Sequence, residues 1–336
     1  MMRRSALLII GSVFVVSLLT IAFIVDGLNK KDSQGVATPT DTSNRSEFKR
    51  GFGLSPYNYS NEGFNDFLKM AKLGGGVITW SGDWVQLSDI NSGPHVVAKL
   101  AQSQGLEYVI ITQFFTQSTR QLLRSLDETT FKSYKESAVV FAQTYKPKYL
   151  GFGIEVNVIN SSATYSEFVA FFADLKAAVK GVSADTKVFT VFQLELMKGL
   201  SGGLFGGEND PNKAQWKLLD DFDVDCVAFT TYPCLVYRDP SEMPDDYYSE
   251  ISEHTSLPVI FTEIGWFRTG PKGWESNTEE QVRFIKYFFT AEKDLKPGLM
   301  IWSFLYDQDV IEPFNSMGLI NINMSNRLAW EAWNKG

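Results

Sequence analysis

From residue 51 onward, short apolar runs alternate with longer segments of helical spacing. The apolar runs are GFGLSPY (51–57), GGVITWSG (75–82), EYVIITQFF (107–115), YLGFGIEVN (149–157), KVFTVFQ (187–193), DCVAFTTYP (225–233), PVIFTEIGW (258–266) and GLMIWSFLYD (298–307). Rich in β-branched and aromatic residues and bounded by Gly, Pro, Asn and Asp, they read as strands. The intervening segments carry helix signals. Phe64, Phe67, Leu68 and Ala71 form one stripe, and PHVVAKLAQSQG opens with Pro94 and closes at Gly105. TRQLLRSLDETTFKSYKESAVVFAQTYKP reads as two helical pieces. YSEFVAFFADLKAAVKG, NKAQWKLLDDF, DDYYSEISEHT, TEEQVRFIKYFFTAEKD and SNRLAWEAWNKG follow the remaining strands. Strands alternating with helices predict a parallel sheet with crossover connections. Eight such repeats within residues 51–336 fit a closed (β/α)8 TIM barrel, for which about 250 residues is typical. A doubly wound open sheet more often carries a Gly-rich nucleotide turn after its first strand, and none follows GFGLSPY.

The N-terminus breaks this rhythm. SALLIIGSVFVVSLLTIAFIV, residues 5–25, contains no charge and follows Arg3 and Arg4. About 20 apolar residues cross a bilayer, and basic residues before the span favour a cytoplasmic N-terminus. The span is long and FIVDGLNKK offers no small-x-small cleavage site, so an uncleaved signal anchor is expected rather than a cleaved signal peptide. Residues 26–50 are polar and read as a flexible linker. The expected organisation is therefore 1–25 cytoplasmic stub and anchor, 26–50 linker and 51–336 barrel, with the barrel held at the cell membrane outside the cytoplasm, or secreted if the leader is removed. Four N-x-S sequons, at Asn44, Asn58, Asn160 and Asn323, matter only in a host that glycosylates.

Composition narrows the partners. A formal net charge of −8 repels phosphate backbones, which argues against nucleic acid. The two cysteines, Cys226 and Cys234, would flank one strand, about 26 Å apart, too far for a disulfide; both are expected free. No C-x-x-C, H-E-x-x-H or Walker-type loop occurs, so neither metal nor cofactor is expected. GLSGG (199–203) matches G-x-S-x-G, but loop sequence follows it where a nucleophile elbow needs a helix.

The chemistry lies in two carboxylates. Glu263 interrupts VIFTEIGW (259–266) and Glu155 interrupts YLGFGIEVN. In a (β/α)8 barrel the active site lies at the C-terminal ends of the strands, where both glutamates fall. Two carboxylates facing one cleft suit glycosidic bond cleavage, one protonated to serve the leaving oxygen and one ionised at the anomeric carbon.

With TEIGW after the seventh strand and a Glu-bearing fourth strand, the sequence resembles the clan of retaining (β/α)8 glycoside hydrolases, closest to the endo-galactanase and β-1,3-glucanase branches. The resemblance implies Glu155 as acid/base and Glu263 as nucleophile, with carboxylates about 5–5.5 Å apart. It implies that Tyr232 of TTYP hydrogen-bonds the nucleophile and that Trp302 of IWSF forms a floor for the sugar. Such families carry Asn directly before the acid/base, where this chain has Ile154. Asn157 either replaces that sugar ligand or caps the loop. Trp80 and Trp266, at strand ends, are further candidate sugar platforms, and Asp83 and Gln193 candidate cleft residues. The expected function is a membrane-anchored, extracytoplasmic glycoside hydrolase, acting as a monomer on a β-linked polysaccharide or oligosaccharide. The alternative, resting on Ile154, is a carbohydrate-binding barrel with impaired catalysis.

Overall fold

The computed structural model describes residues 49–336, apart from Asn160, Asn326 and the side chain of Glu292. The expected anchor, nearly all of the linker, and the sequons at Asn44 and Asn160 lie outside the described residues. Among the described residues no helix is long and apolar enough to cross a membrane.

Eight parallel strands form the sheet: β1 Lys49–Gly53, β2 Val77–Asp83, β3 Glu107–Gln113, β4 Tyr149–Phe152, β5, β6 Val227–Thr231, β7 Val259–Ile264 and β8 Leu299–Trp302. β5 is two pieces broken at Thr190; Lys187–Phe189 pairs with β4 and Val191–Gln193 pairs with β6. Since β8 also pairs with β1, the sheet closes on itself as an eight-stranded barrel. Lys49 and Arg50, expected in the linker, already pair with Leu299 and Met300 as part of β1.

Helices follow expectation as α1 Asn61–Leu73, α2 Gly93–Gln104, α4 Ser162–Val182, α7 Thr278–Leu295 and α8 Leu328–Lys335, but of the two helical pieces expected after β3 only the second forms, as α3 Glu128–Tyr145; Gln121–Leu122 in the first instead pairs antiparallel with Phe115–Thr116. Their ends obey local chemistry: Ser60 caps α1 by accepting from the Gly63 N–H, and Gly105 closes α2 in the left-handed conformation. The fifth and sixth connections differ from expectation. α5 Leu194–Met197 and α6 Ile251–His254 are single turns, and NKAQWKLLDDF forms 3-10 turns at Pro211–Lys213 and Trp216–Asp221. Helices this short are marginal on their own. Here Trp216 stacks on His254 at 4.2 Å between ring centroids, and such contacts set the backbone instead.

Strand alternation sorts the side chains into two layers. Val77, Val109, Ile111, Phe189, Val191, Ala228, Ile260 and Ile301 fill the barrel interior, joined by Ile154 and Cys226. Phe52, Ile78, Phe261 and Met300 point the other way, into the larger cluster shared with the helices. Gly151 makes room for this interior: a Cβ there would lie 2.6 Å from the Phe189 ring. Cys226 and Cys234 are both free and buried.

Candidate active site

β4 ends at Phe152, so Glu155 does not continue a strand to Asn157 as the apolar run suggested. The chain turns instead. Gly153 has φ +84° and Glu155 itself has φ +54°. A non-glycine residue in this left-handed region costs on the order of 1 kcal/mol and persists only where its surroundings hold it. Here the Gln117 amide donates to the Ile154 carbonyl at 3.1 Å. Asn157 grips β5, accepting from the Gln193 N–H at 2.8 Å and donating to the Gln193 carbonyl at 3.1 Å. The turn sends Ile154 into the barrel interior and buries Glu155 to 1% exposure.

Glu263 arrives by a different device. β7 slips register against β6 between Phe261 and Glu263, so that Phe261 faces Phe229 but Glu263 faces Thr230. Without this bulge, alternation from interior Ile260 would turn Thr262 inward and Glu263 outward. The extra residue reverses the parity, a use of bulges that recurs beside active sites.

The two carboxylates meet around β6. Thr230, the register partner of Glu263, donates its hydroxyl to Glu155 Oε1 at 2.8 Å. Two residues on, the Tyr232 phenol donates to Glu263 Oε2 and lies 2.9 Å from Ser303 Oγ beyond β8. Burial is the main cause that pushes both carboxyls up, Glu155 to about 8 and Glu263 to about 7. The negative charge of Glu263 raises Glu155 further, while the Tyr232 hydroxyl pulls Glu263 down. Glu155 therefore holds its proton more tightly, and Glu263 ionises first.

The remaining candidates divide. Gln193 is buried beside Glu155, and its side chain favours the ionised form of that carboxyl. Asp83 ends β2 but is held by a two-point ion pair with Arg124, at 2.6 and 2.7 Å. The Asn157 amide is used up by Gln193 and by Gln215, at 2.9 Å; it clamps the loop, the capping role left open by the sequence. The three tryptophans expected as sugar platforms need correction. Trp302 packs on Phe284 of α7 and Trp333 of α8, and Trp266 packs on Phe284. Trp80 belongs to the same sheet–helix layer. Each indole is fully buried behind the barrel wall, because its position has outward parity. The inward position after Ile301 is Ser303. Thr230, Ser303 and Gln117 join the site without having been singled out; inward parity along FTTYP and IWSF was the available signal for the first two.

Among the described residues no group of three or more His, Cys, Asp or Glu side chains could hold a metal ion.

No family model matches the sequence, and no similar sequence was found among characterised proteins. Solved structures do match in fold. The Ignisphaera aggregans GH53 catalytic domain is 13% identical, covering 89% of this chain and 99% of that one, with a TM-score of 0.60. Xylanase 10B from Thermotoga maritima is 11% identical over 86% of this chain and 94% of that one, TM-score 0.60. The glycoside hydrolase family 17 β-1,3-glucanosyltransferase from Rhizomucor miehei is 11% identical over 84% and 96%, TM-score 0.57. The chain has the fold of the TIM-barrel glycoside hydrolases. At these identities the likeness is one of fold, and the chemistry rests on the residues themselves.

Proposed function

We propose that this glycosidase-like barrel cleaves β-linked glycans with retention of anomeric configuration, with Glu155 as acid/base and Glu263 as nucleophile. The observation that carries the reading is the β6 bridge: Thr230 holds Glu155 while pairing with Glu263, and Tyr232 donates to Glu263. Two buried carboxyls so joined, with Glu155 the more tightly protonated, supply the two protonation states the reaction needs. Glu155 gives its proton to the departing glycosidic oxygen as Glu263 forms a bond to the anomeric carbon. Glu155, now ionised, takes a proton from water, which displaces Glu263 and restores the original configuration. Tyr232 favours the ionised state of the attacking carboxylate. The substrate class is a β-linked polysaccharide or oligosaccharide. The barrel works as a monomer, outside the cytoplasm, tethered to the membrane through residues 5–25.

The test is hydrolysis of β-1,3-glucan, β-1,4-galactan and xylan by wild type and by Glu263→Gln, with the first-formed anomer read by NMR. Product from wild type alone, with retained configuration, is expected. Equal release by both proteins would remove the enzyme reading and leave a carbohydrate-binding barrel, whereas an inverted product would exclude Glu263 as nucleophile. Fractionation of the full chain against a chain starting at Lys49 tests the anchor: the first should sediment with membranes and the second remain soluble.

A further inference from the structure

A third carboxylate lies close enough to Glu155 to act on its charge. Glu195, in the turn α5 just past β5, is completely buried. One of its oxygens, Oε1, accepts three hydrogen bonds: from the Thr231 hydroxyl at 3.0 Å, the Tyr232 N–H at 2.9 Å and the Tyr247 hydroxyl at 2.9 Å. Three donors converging on one oxygen suit an ionised acceptor. Two of them belong to the corner where β6 ends, and that corner carries Tyr232.

We propose that Glu195 is a positioning residue, which pins the Thr231–Tyr232 corner so that the Tyr232 phenol is aimed at Glu263. The inference rests on the reading of Glu263 as the group that must be ionised, and it adds a residue that touches neither substrate nor the reacting atoms. Three features support it. Tyr232 leaves the strand at φ −135° and ψ 66°, so its direction is set by what holds its backbone. The Tyr247 ring that donates to Glu195 is itself held: Lys198, one turn on in the chain, donates to the Tyr247 carbonyl at 2.9 Å and places its ammonium 4.8 Å from the ring centroid. Finally, among the described residues the groups facing Glu195 include no cation. They are the hydroxyls of Thr231, Tyr237, Tyr247 and Tyr248, the Tyr232 N–H, the Cys234 thiol and Glu155. Burial pushes the Glu195 carboxyl above its ordinary value and the donated hydrogen bonds offset part of that rise, so the three donors, not an ion pair, hold the carboxyl in place.

The experiment follows the carboxyl titrations of Glu263 and Glu155 by NMR in the full chain with ¹³C-carboxyl glutamate, assigned with Glu263→Gln and Glu155→Gln. Losing the aimed phenol raises Glu263, because the donor stabilises its ionised form. Tyr232→Phe should therefore raise the Glu263 midpoint by about half a pH unit or more. Glu195→Gln should raise it in the same direction while the protein still melts cooperatively. The two changes should not add in the double variant, since both act through one hydroxyl. Tyr247→Phe, which removes one donor and leaves the β6 corner intact, should produce a smaller rise and covers the case where Glu195→Gln fails to fold. A Glu263 midpoint unmoved by both Glu195→Gln and Tyr247→Phe, or full additivity with Tyr232→Phe, would overturn the proposal. The titration does not require turnover. If no β-glycan is cut, the hydrolase reading fails while the link from Glu195 to Glu263 is still decided.

Discussion

Replacing Glu155 by Gln should make the protein more stable in alkali and less stable in acid. The folded state holds the Glu155 carboxyl at about 8 instead of the ordinary 4.5, chiefly through burial. Below 4.5 both folded and unfolded chains carry the proton, and there is no penalty. Between the two values the folded chain keeps a proton that the unfolded chain has lost, so stability falls as pH rises. Above about 8 the folded chain must bury the charge. At about 1.4 kcal/mol per pH unit the full penalty is on the order of 5 kcal/mol. Gln escapes this penalty and its oxygen can still accept from Thr230. Its amide NH2, however, replaces an oxygen that has no partner, and an unsatisfied buried donor costs about 1–3 kcal/mol. The net gain at pH 9 is then about 2–4 kcal/mol, or about 4–8 °C in Tm at about 2 °C per kcal/mol for a barrel of this size. At pH 4 the amide cost stands alone and the variant melts below wild type. Calorimetry of the chain from Lys49, run between pH 4 and 9, should show the two Tm curves crossing. Parallel curves, or a variant less stable at every pH, would refute the claim that Glu155 is a buried carboxyl with a raised pKa.

Three further outcomes follow from the same geometry. Hydrolysis should be confined to a narrow bell, rising as Glu263 ionises near 7 and falling as Glu155 loses its proton near 8; a flat profile from pH 5 to 9 would contradict the assignment. Tyr232→Phe should move the acidic limb upward and lower kcat about 10- to 100-fold, the worth of one hydrogen bond to a charged group, as read from the pH dependence of initial rates. Asn157→Ala should lower stability by about 1–3 kcal/mol, because the Gln193 N–H and carbonyl lose their partner inside the protein; chemical denaturation measures this, and an unchanged midpoint would show that Asn157 does not clamp the turn.

Much of the barrel was legible because its rule is local and repeated. Eight apolar runs separated by helical spacing leave few ways to bury every strand, and Ser60, Pro94 and Gly105 mark helix ends by their own chemistry. The connections after β5 and β6 were misread as full helices because their helical spacing is real but brief, and contacts such as Trp216 on His254 outweigh it. The candidate pair was visible for a similar reason: a carboxylate that interrupts an apolar strand end is a local anomaly.

What each side chain faces was not local. Strand position alone made Trp80, Trp266 and Trp302 look like walls of the cleft, yet all three lie behind the barrel wall. Parity reverses with a single inserted residue, and no residue type in VIFTEIGW announces the bulge that turns Glu263 inward. The left-handed turn at Glu155 is equally silent, since it is held by Gln117 and Asn157, whose hydrogen-bond partners lie on other segments of the chain. By itself the sequence determined that eight strands would pair in parallel and that one glutamate would follow the fourth strand and another end the seventh. Only the closed barrel decided that the two share Thr230, that Tyr232 reaches Glu263, and that Glu195 holds the Thr231–Tyr232 corner. Pairing follows from hydrophobic periodicity along the chain, whereas convergence depends on register, bulges and hydrogen bonds between strands far apart in sequence.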